Sequence, residues 1–303
     1  MRAKYSSSNP FQPTVPGSFL ILLYHGVYPD GLGIVGRNGS GKHIPASEFQ
    51  RQMKIIKEQW NSVSMLDIEA AYQGKKDLPV ESVAITFDDG YCNVYETAWP
   101  ILKELELPFT LYLTTDWIGT GKHSWTDELE DMFWGTGFAA TLTEFKTVLK
   151  QVSFEELEQF MAGLKTVFPC GMGHPLYQMM TWGQVKKMAK SPFVAIGAHT
   201  VDHKPLARVD ICEMKLQVRE SLEKVQEQAG GTPLFSYPEG QEGDISDRAI
   251  EYLRFRGINI CPTAIPGVNN IKTTDPMRLY RCAPGLGGQW FVLSDLGEQW
   301  VIL

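Results

Sequence analysis

The chain has 303 residues, 43% of them hydrophobic and 21% charged, the composition of an ordinary folded globular protein. A formal charge of -7 and a pI of about 5.5 argue against a surface built for nucleic acid or for an anionic membrane face, since both need clustered Lys and Arg. No run approaches the ~18 uninterrupted apolar residues of a membrane span, and the polar start from Met1 to Ser18 lacks the blocks of a secretory signal.

Apolar β-rich runs alternate with helical patterns along the chain. Phe19 to Tyr24 is a continuous apolar run, as expected of a strand buried on both faces. A loop from Pro29 to Lys42 carries Gly31, Gly33, Gly36, Gly39 and Gly41 without the order of a phosphate-cradling loop, and reads as a plain loop or lid. Ser47 then begins a helix, with Gln50 completing a capping box and Phe49, Met53, Ile56 and Trp60 on one side. Val83 to Phe87 is a second strand. The helical segment that follows runs to Leu105, and Pro100 should begin or kink it because it lacks an amide proton.

Phe109 to Thr114 is a third strand. Trp125 to Phe168 reads as a helical insertion, in which Ser153 and Glu156 form a capping box. Helices follow from Thr181 to Ala189, Cys212 to Ala229 and Ser246 to Arg256. Strands are expected at Val194 to Ala198, Leu234 to Tyr237 and Ile258 to Cys261. Lys186, Lys187 and Lys190 form a solvated helix face. The short apolar runs at 291–293 and 301–303 have no assigned place. Cys92, Cys170, Cys212, Cys261 and Cys282 are scattered without CxxC spacing and read as reduced, buried structural thiols of a cytosolic protein.

This alternation argues for a parallel sheet or barrel. The length fits one α/β domain over 19–303, after an N-terminal extension of 1–18 and interrupted by a helical insertion over 120–180.

Two motifs carry chemistry. Asp88-Asp89-Gly90 follows a buried strand, where α/β folds place active sites. Two buried carboxylates there need a counter-charge. A turn with two solvated aspartates is the plainer alternative. His199 and His203, spaced HxxxH after another strand, can face one ion if the segment turns helically; one core and one surface histidine is the alternative.

Together these stretches resemble the NodB-type polysaccharide deacetylase family. The resemblance rests on ITFDDGY (Ile85 to Tyr91), IGAHTVDHKPL (Ile196 to Leu206) and FSYPEG (Phe235 to Gly240), with support from LLYHGV (Leu22 to Val27) and the helix from Thr181 to Ala189. It runs from about Leu20 to Arg281, with Trp125 to Met180 poorly matched. It implies a distorted (β/α) barrel of about seven strands plus the helical insertion. It also implies a hydrolase, a zinc-dependent de-N-acetylase. Asp88 matches the family's catalytic base, and Asp89, His199 and His203 its metal triad. The ion would be zinc, with Co2+, Ni2+ or Fe2+ as alternatives.

The chain departs from the family in two places. The third motif often begins with an arginine that orients the base, and here that place is Ser236; Arg281 is the candidate to supply the cation instead. The residue after Pro238, commonly aromatic, is Glu239. The family's late histidine, its general acid, has no counterpart, because none of the six histidines lies beyond His203. His25, at the end of the first strand, is the candidate replacement. Trp182 and Tyr237 are candidates to stack on a sugar ring, and Pro238 and Glu239 to line the substrate site. The expected substrate is an N-acetylated carbohydrate, an intracellular glycan or glycan precursor met in the cytoplasm. A non-sugar amide or imide, or a non-catalytic glycan-binding role, is the competing reading. The sequence sets no oligomeric state.

Overall fold

The computed structural model describes residues 15–34, 37–38, 41–136, 142–168, 171, 173–231, 233–284, 289–294 and 297–302. Gly36, Gly39, Cys170, Leu303 and most of the 1–18 segment lie outside them.

The fold opens with β1 (Ser18–Tyr24), a strand buried at every position, as its unbroken apolar sequence requires. Two short strands follow, β2 (Gly26–Tyr28) and β3 (His43–Pro45), which pair in parallel across the glycine-rich loop. Helix α1 (Ala46–Gln59) buries Phe49, Met53 and Ile56. The expected capping box does not form. Pro45 is the N-cap, without a side-chain bond. Ser47 lies inside the helix and donates its hydroxyl to Asp30 Oδ1 at 2.7 Å, which ties the helix to the loop instead.

After β4 (Asn61–Ser62) and α2 (Met65–Tyr72, with a full capping box at Ser64), the second long strand β5 (Ser82–Phe87) lies beside β1. A π-helical turn over Val94–Ala98 runs into α3 (Trp99–Glu104), with Pro100 in its first turn, where a missing N–H costs least. Strand β6 (Phe109–Leu113) completes the first half.

Three helices, α4 (Trp125–Met132), α5 (Leu142–Leu149) and α6 (Phe154–Val167), occupy the insertion and share a small core of Leu129, Met132, Leu142, Leu149, Leu157 and Met161. Ser153 and Glu156 cap α6 reciprocally. Helix α7 (Trp182–Met188) is capped by Thr181, and β7 (Val194–Ala198), α8 (Ile211–Ala229) and α9 (Asp247–Phe255) continue the alternation. Strand β8 (Asn269–Asn270) precedes the tail, whose apolar runs form an antiparallel pair, β9 (Gln289–Ser294) and β10 (Gly297–Ile302).

The main sheet has six strands in the order β7-β6-β5-β1-β8, with β4 also on β5, and all its pairs are parallel except β1 with β8. Beyond β7 and β1 the curve continues through single bridges rather than full strands. Ala198 pairs Phe235, Pro262 pairs Leu279 and Leu22 pairs Cys282, all in parallel. The segments expected to be strands at 234–237 and 258–261 therefore contribute one bridge at Phe235 and one beyond their end at Pro262. The barrel is distorted: its ladder is open where these single bridges stand. Cys261 and Cys282 are buried, but Cys92 is half-buried and Cys212 is exposed at the start of α8, so the reading of every cysteine as a buried thiol does not hold. Among the described residues no helix is long and apolar enough to cross a membrane.

Candidate active site

Parallel register puts the chemistry on one rim. Tyr24 pairs Phe87, so His25 and Asp88 leave adjacent strands side by side, and the Asp88 amide donates to Tyr24 O at 3.0 Å. Leu113 pairs Ala198, which brings His199 to the same level. The bridge from Ala198 to Phe235 sets Ser236 beside His199, and the bridge from Leu22 to Cys282 sets Arg281 beneath Asp88.

Asp88 and Asp89 are both 2% exposed. Arg281, 1% exposed, grips Asp88 with two parallel bonds, Nη1 to Oδ1 at 2.8 Å and Nη2 to Oδ2 at 2.6 Å. Its Nε donates to Thr263 O at 2.5 Å. Burial pushes the Asp88 carboxyl up, but the Arg281 charge and the Arg281 bonds outweigh it, and the group is held down at about 2.

Asp89 turns the other way. Its φ of +73° and the +101° of Gly90 reverse the chain directly after β5. Glycine suits Gly90 because a φ of +101° strains any L side chain. Asp89 Oδ1 lies 3.5 Å from His203 Nε2 and 3.8 Å from His199 Nε2. The histidines converge without a helical turn. Thr200 and His203 adopt positive φ of 64° and 67°, and Gln217 on α8 accepts from the amides of Val201 and Asp202. Trp117 stacks on the His203 ring at 5.5 Å.

These residues fit a metal ion. One ligand atom from each of Asp89, His199 and His203 lies within 4.8 Å of the others. Asp89 Oδ1 is buried with no hydrogen-bond donor among the described residues, a costly arrangement that a cation resolves. Burial holds both histidines below their ordinary pKa, which keeps them neutral as ligands must be. His199 Nδ1 meets Ser236 O at 2.9 Å and Ser236 Oγ at 2.7 Å; a proton on Nδ1 donated to that carbonyl leaves the Nε2 lone pair facing Asp89.

One cavity of about 870 Å³ contains the triad, Asp88, His25, Tyr237, Glu239 and Arg281. His25 is half-buried, and burial lowers its pKa more than the two nearby carboxylates raise it. Tyr237 lines the cavity but is buried, and its hydroxyl donates to Met277 O at 3.0 Å. Pro238 is buried and does not line it. Trp182 is not brought to the site. It is half-buried against the main core at the start of α7, and it lies outside the cavity lining.

Lys42 and Asp127 were not legible as site residues, since nothing in their spacing links a loop lysine to an insertion helix. Lys42 lines the cavity and donates to Asp127 Oδ1 at 3.0 Å, Thr126 Oγ1 at 2.9 Å and Tyr91 OH at 3.2 Å, while Tyr91 OH donates to Asp127 Oδ2 at 2.5 Å. Glu239 bonds Lys150 Nζ at 2.6 Å, a second tie to the insertion.

Burial raises the Asp127 carboxyl, and Lys42 and Tyr91 more than offset this, holding it below its ordinary value. A depressed folded pKa gives stability that is present above the unfolded value near 3.8 and lost as pH falls through the folded one. Asp127→Asn is therefore expected to cost about 3 kcal/mol at pH 7 and less near pH 3, read from urea melts at both pH values. An equal cost at the two pH values would mean that charge does not hold this pair.

A sequence model described as polysaccharide deacetylase matches residues 75–260, more than half of the chain. The chain belongs to the polysaccharide deacetylase family. Two curated relatives are named poly-beta-1,6-N-acetyl-D-glucosamine N-deacetylase. One, from Escherichia coli (strain K12), is 26% identical over 193 residues, 62% of this chain and 21% of the relative. The other, from Staphylococcus aureus (strain MSSA476), is 34% identical over 76 residues, 25% of this chain and 26% of the relative. This chain thus spans about a quarter or less of the length of either.

Two solved structures share the fold of this chain. The Streptococcus pyogenes deacetylase PplD in complex with acetate has a TM-score of 0.61 at 16% identity, covering 89% of this chain and 93% of that one. IcaB from Ammonifex degensii has a TM-score of 0.59 at 20% identity, covering 88% and 91%. Both bear out the NodB-type fold expected from the motifs. In this family member the cation on Asp88 comes from Arg281, and Ser236, in the third-motif position, meets His199 instead.

Proposed function

We propose that the chain is a metal-dependent hydrolase that removes an N-acetyl group from a carbohydrate, an intracellular glycan or glycan precursor. The observation that carries this reading is an arginine-clamped carboxylate beside a convergent Asp-His-His set, in one cavity of a polysaccharide deacetylase family member. The poly-N-acetylglucosamine deacetylases among its relatives support an acetamido sugar as the substrate class.

Asp89, His199 and His203 would hold the ion, zinc by the chemistry of two imidazoles and one carboxylate. A divalent ion there supplies Lewis-acid polarisation of the acyl carbonyl and a more acidic water. Asp88 takes a proton from the attacking water. Arg281 keeps Asp88 ionised and aimed into the cavity. A backbone amide near Pro238-Glu239 meets the developing oxyanion. The C–N bond breaks as the departing nitrogen is protonated through His25, leaving acetate and a free amine. His25 enters neutral, since burial lowers its pKa, and passes on the proton that Asp88 has taken. Tyr237 and Glu239 line the sugar side.

The test couples metal analysis of the purified protein to an acetate-release screen over N-acetylated sugars and simple amides. Bound metal with acetate released from a sugar is the expected result. Metal without acetate from any sugar sinks the carbohydrate reading, and absence of metal sinks the catalytic one. His203→Ala is expected to lose most bound metal and roughly 10³-fold or more in rate together, checked on the same samples.

A further inference from the structure

The cavity has two unlike walls. One carries Asp88, Asp89, His199 and His203. The other is supplied by the insertion, where Leu149, Val152, Phe154, Leu157 and Met161 line the same space. The lysines lining that side are engaged, Lys146 with Glu130 at 2.6 Å, Lys150 with Glu239 at 2.6 Å and Lys165 with Glu128 at 2.8 Å, and Thr147 and Glu158 share the wall. At about 870 Å³ the cavity sits near the upper end of the ~300–1,000 Å³ range of small-molecule sites. It holds more than an acetamido group and one pyranose ring.

The aliphatic wall continues outward. Val152, in the turn between α5 and α6, lines the cavity and is also 37% exposed. Beside it on the same hairpin, Phe145 and Phe160 are each 37% exposed and Val148 63%. The two phenylalanine rings meet edge to face at 5.7 Å. Apolar side chains thus stand both in the chamber, at Val152, and exposed on the outer face of the hairpin. An alkyl chain needs only surface removed from water.

Resting on the de-N-acetylase reading above, we infer that the substrate is an acetamido sugar carried on a lipid. The sugar sits at Asp88, its chain lies along the aliphatic wall, and the chain joins a bilayer at the Phe145, Val148, Val152 and Phe160 rim. The insertion would then act as a shallow apolar anchor, a helical hairpin resting on the surface rather than crossing it.

The test compares methyl and dodecyl glycosides of N-acetylglucosamine as substrates for the full chain. The expected result is a kcat/KM at least about tenfold higher for the dodecyl glycoside. Val152→Asp should cut that ratio severalfold, and because both rates come from one preparation the ratio is insensitive to loss of folded protein. In parallel, wild type should co-float with phosphatidylcholine vesicles, and Phe160→Asp should float less. A ratio near one, a ratio unmoved by Val152→Asp, or no co-flotation overturns the inference. Acetate released equally from both glycosides would do so while leaving the de-N-acetylase reading intact, whereas no acetate from either would strike that reading itself.

Discussion

Asp88→Asn is expected to lower acetate release by roughly 10²- to 10⁴-fold while leaving the metal content unchanged. Asn has the shape of Asp but cannot take up a proton from water. The change spares the three ligand atoms, which belong to Asp89, His199 and His203. Asp88 Oδ2 stands 3.7 Å from His199 Nε2, close enough to serve a nucleophile bound beside the triad. Acetate assay and metal analysis on one sample separate the roles. Full turnover in Asp88→Asn would move the base elsewhere, and metal lost with activity would make Asp88 a ligand.

How much of this was legible in the sequence depends on how local each feature is. Strands β1, β5 and β6 were, because strands buried on both faces read as continuous apolar runs, and so was β7, whose first two residues are half-buried. Helix ends were legible where a side chain does the capping, as at Thr181 and Ser153. At Ser47 the same pattern misled, because Asp30, distant in sequence, competes for the hydroxyl. The last staves of the barrel were overread for a related reason. Segments such as Leu234 to Tyr237 have strand-like composition but make single bridges, and local composition carries no record of how far a ladder runs.

The site divides the same way. Asp88, Asp89, His199 and His203 sit in compact motifs directly after strands, so their convergence follows once the strands are parallel and in register. HxxxH suggested a helical turn, yet the chain reaches the same convergence with left-handed residues at Thr200 and His203, which Gln217 of α8 helps fix. Trp182 was drawn towards the site by residue type alone, whereas the packing of α7 against the core decides its place. Lys42 meeting Asp127 is a tertiary event between two segments without a mutual signal.

Arg281→Met is expected to destabilise the fold by about 3–5 kcal/mol, because it strands the buried Asp88 carboxylate without its counter-charge. Activity should fall with it, as Asp88 loses the two bonds that aim it. The double variant Asp88→Asn/Arg281→Met separates the causes. With neither charge present nothing is left unpaired, so the double variant should recover much of the stability lost by Arg281→Met and still release no acetate. Urea melts of the four proteins complete a double-mutant cycle, and a coupling of about 2 kcal/mol or more is the expected outcome. Additive losses would mean that Arg281 stabilises through Thr263 O and Thr86 Oγ1 rather than through Asp88. The geometry favours coupling: those two contacts are single bonds, and only Asp88 takes two at once, from both terminal nitrogens of the guanidinium.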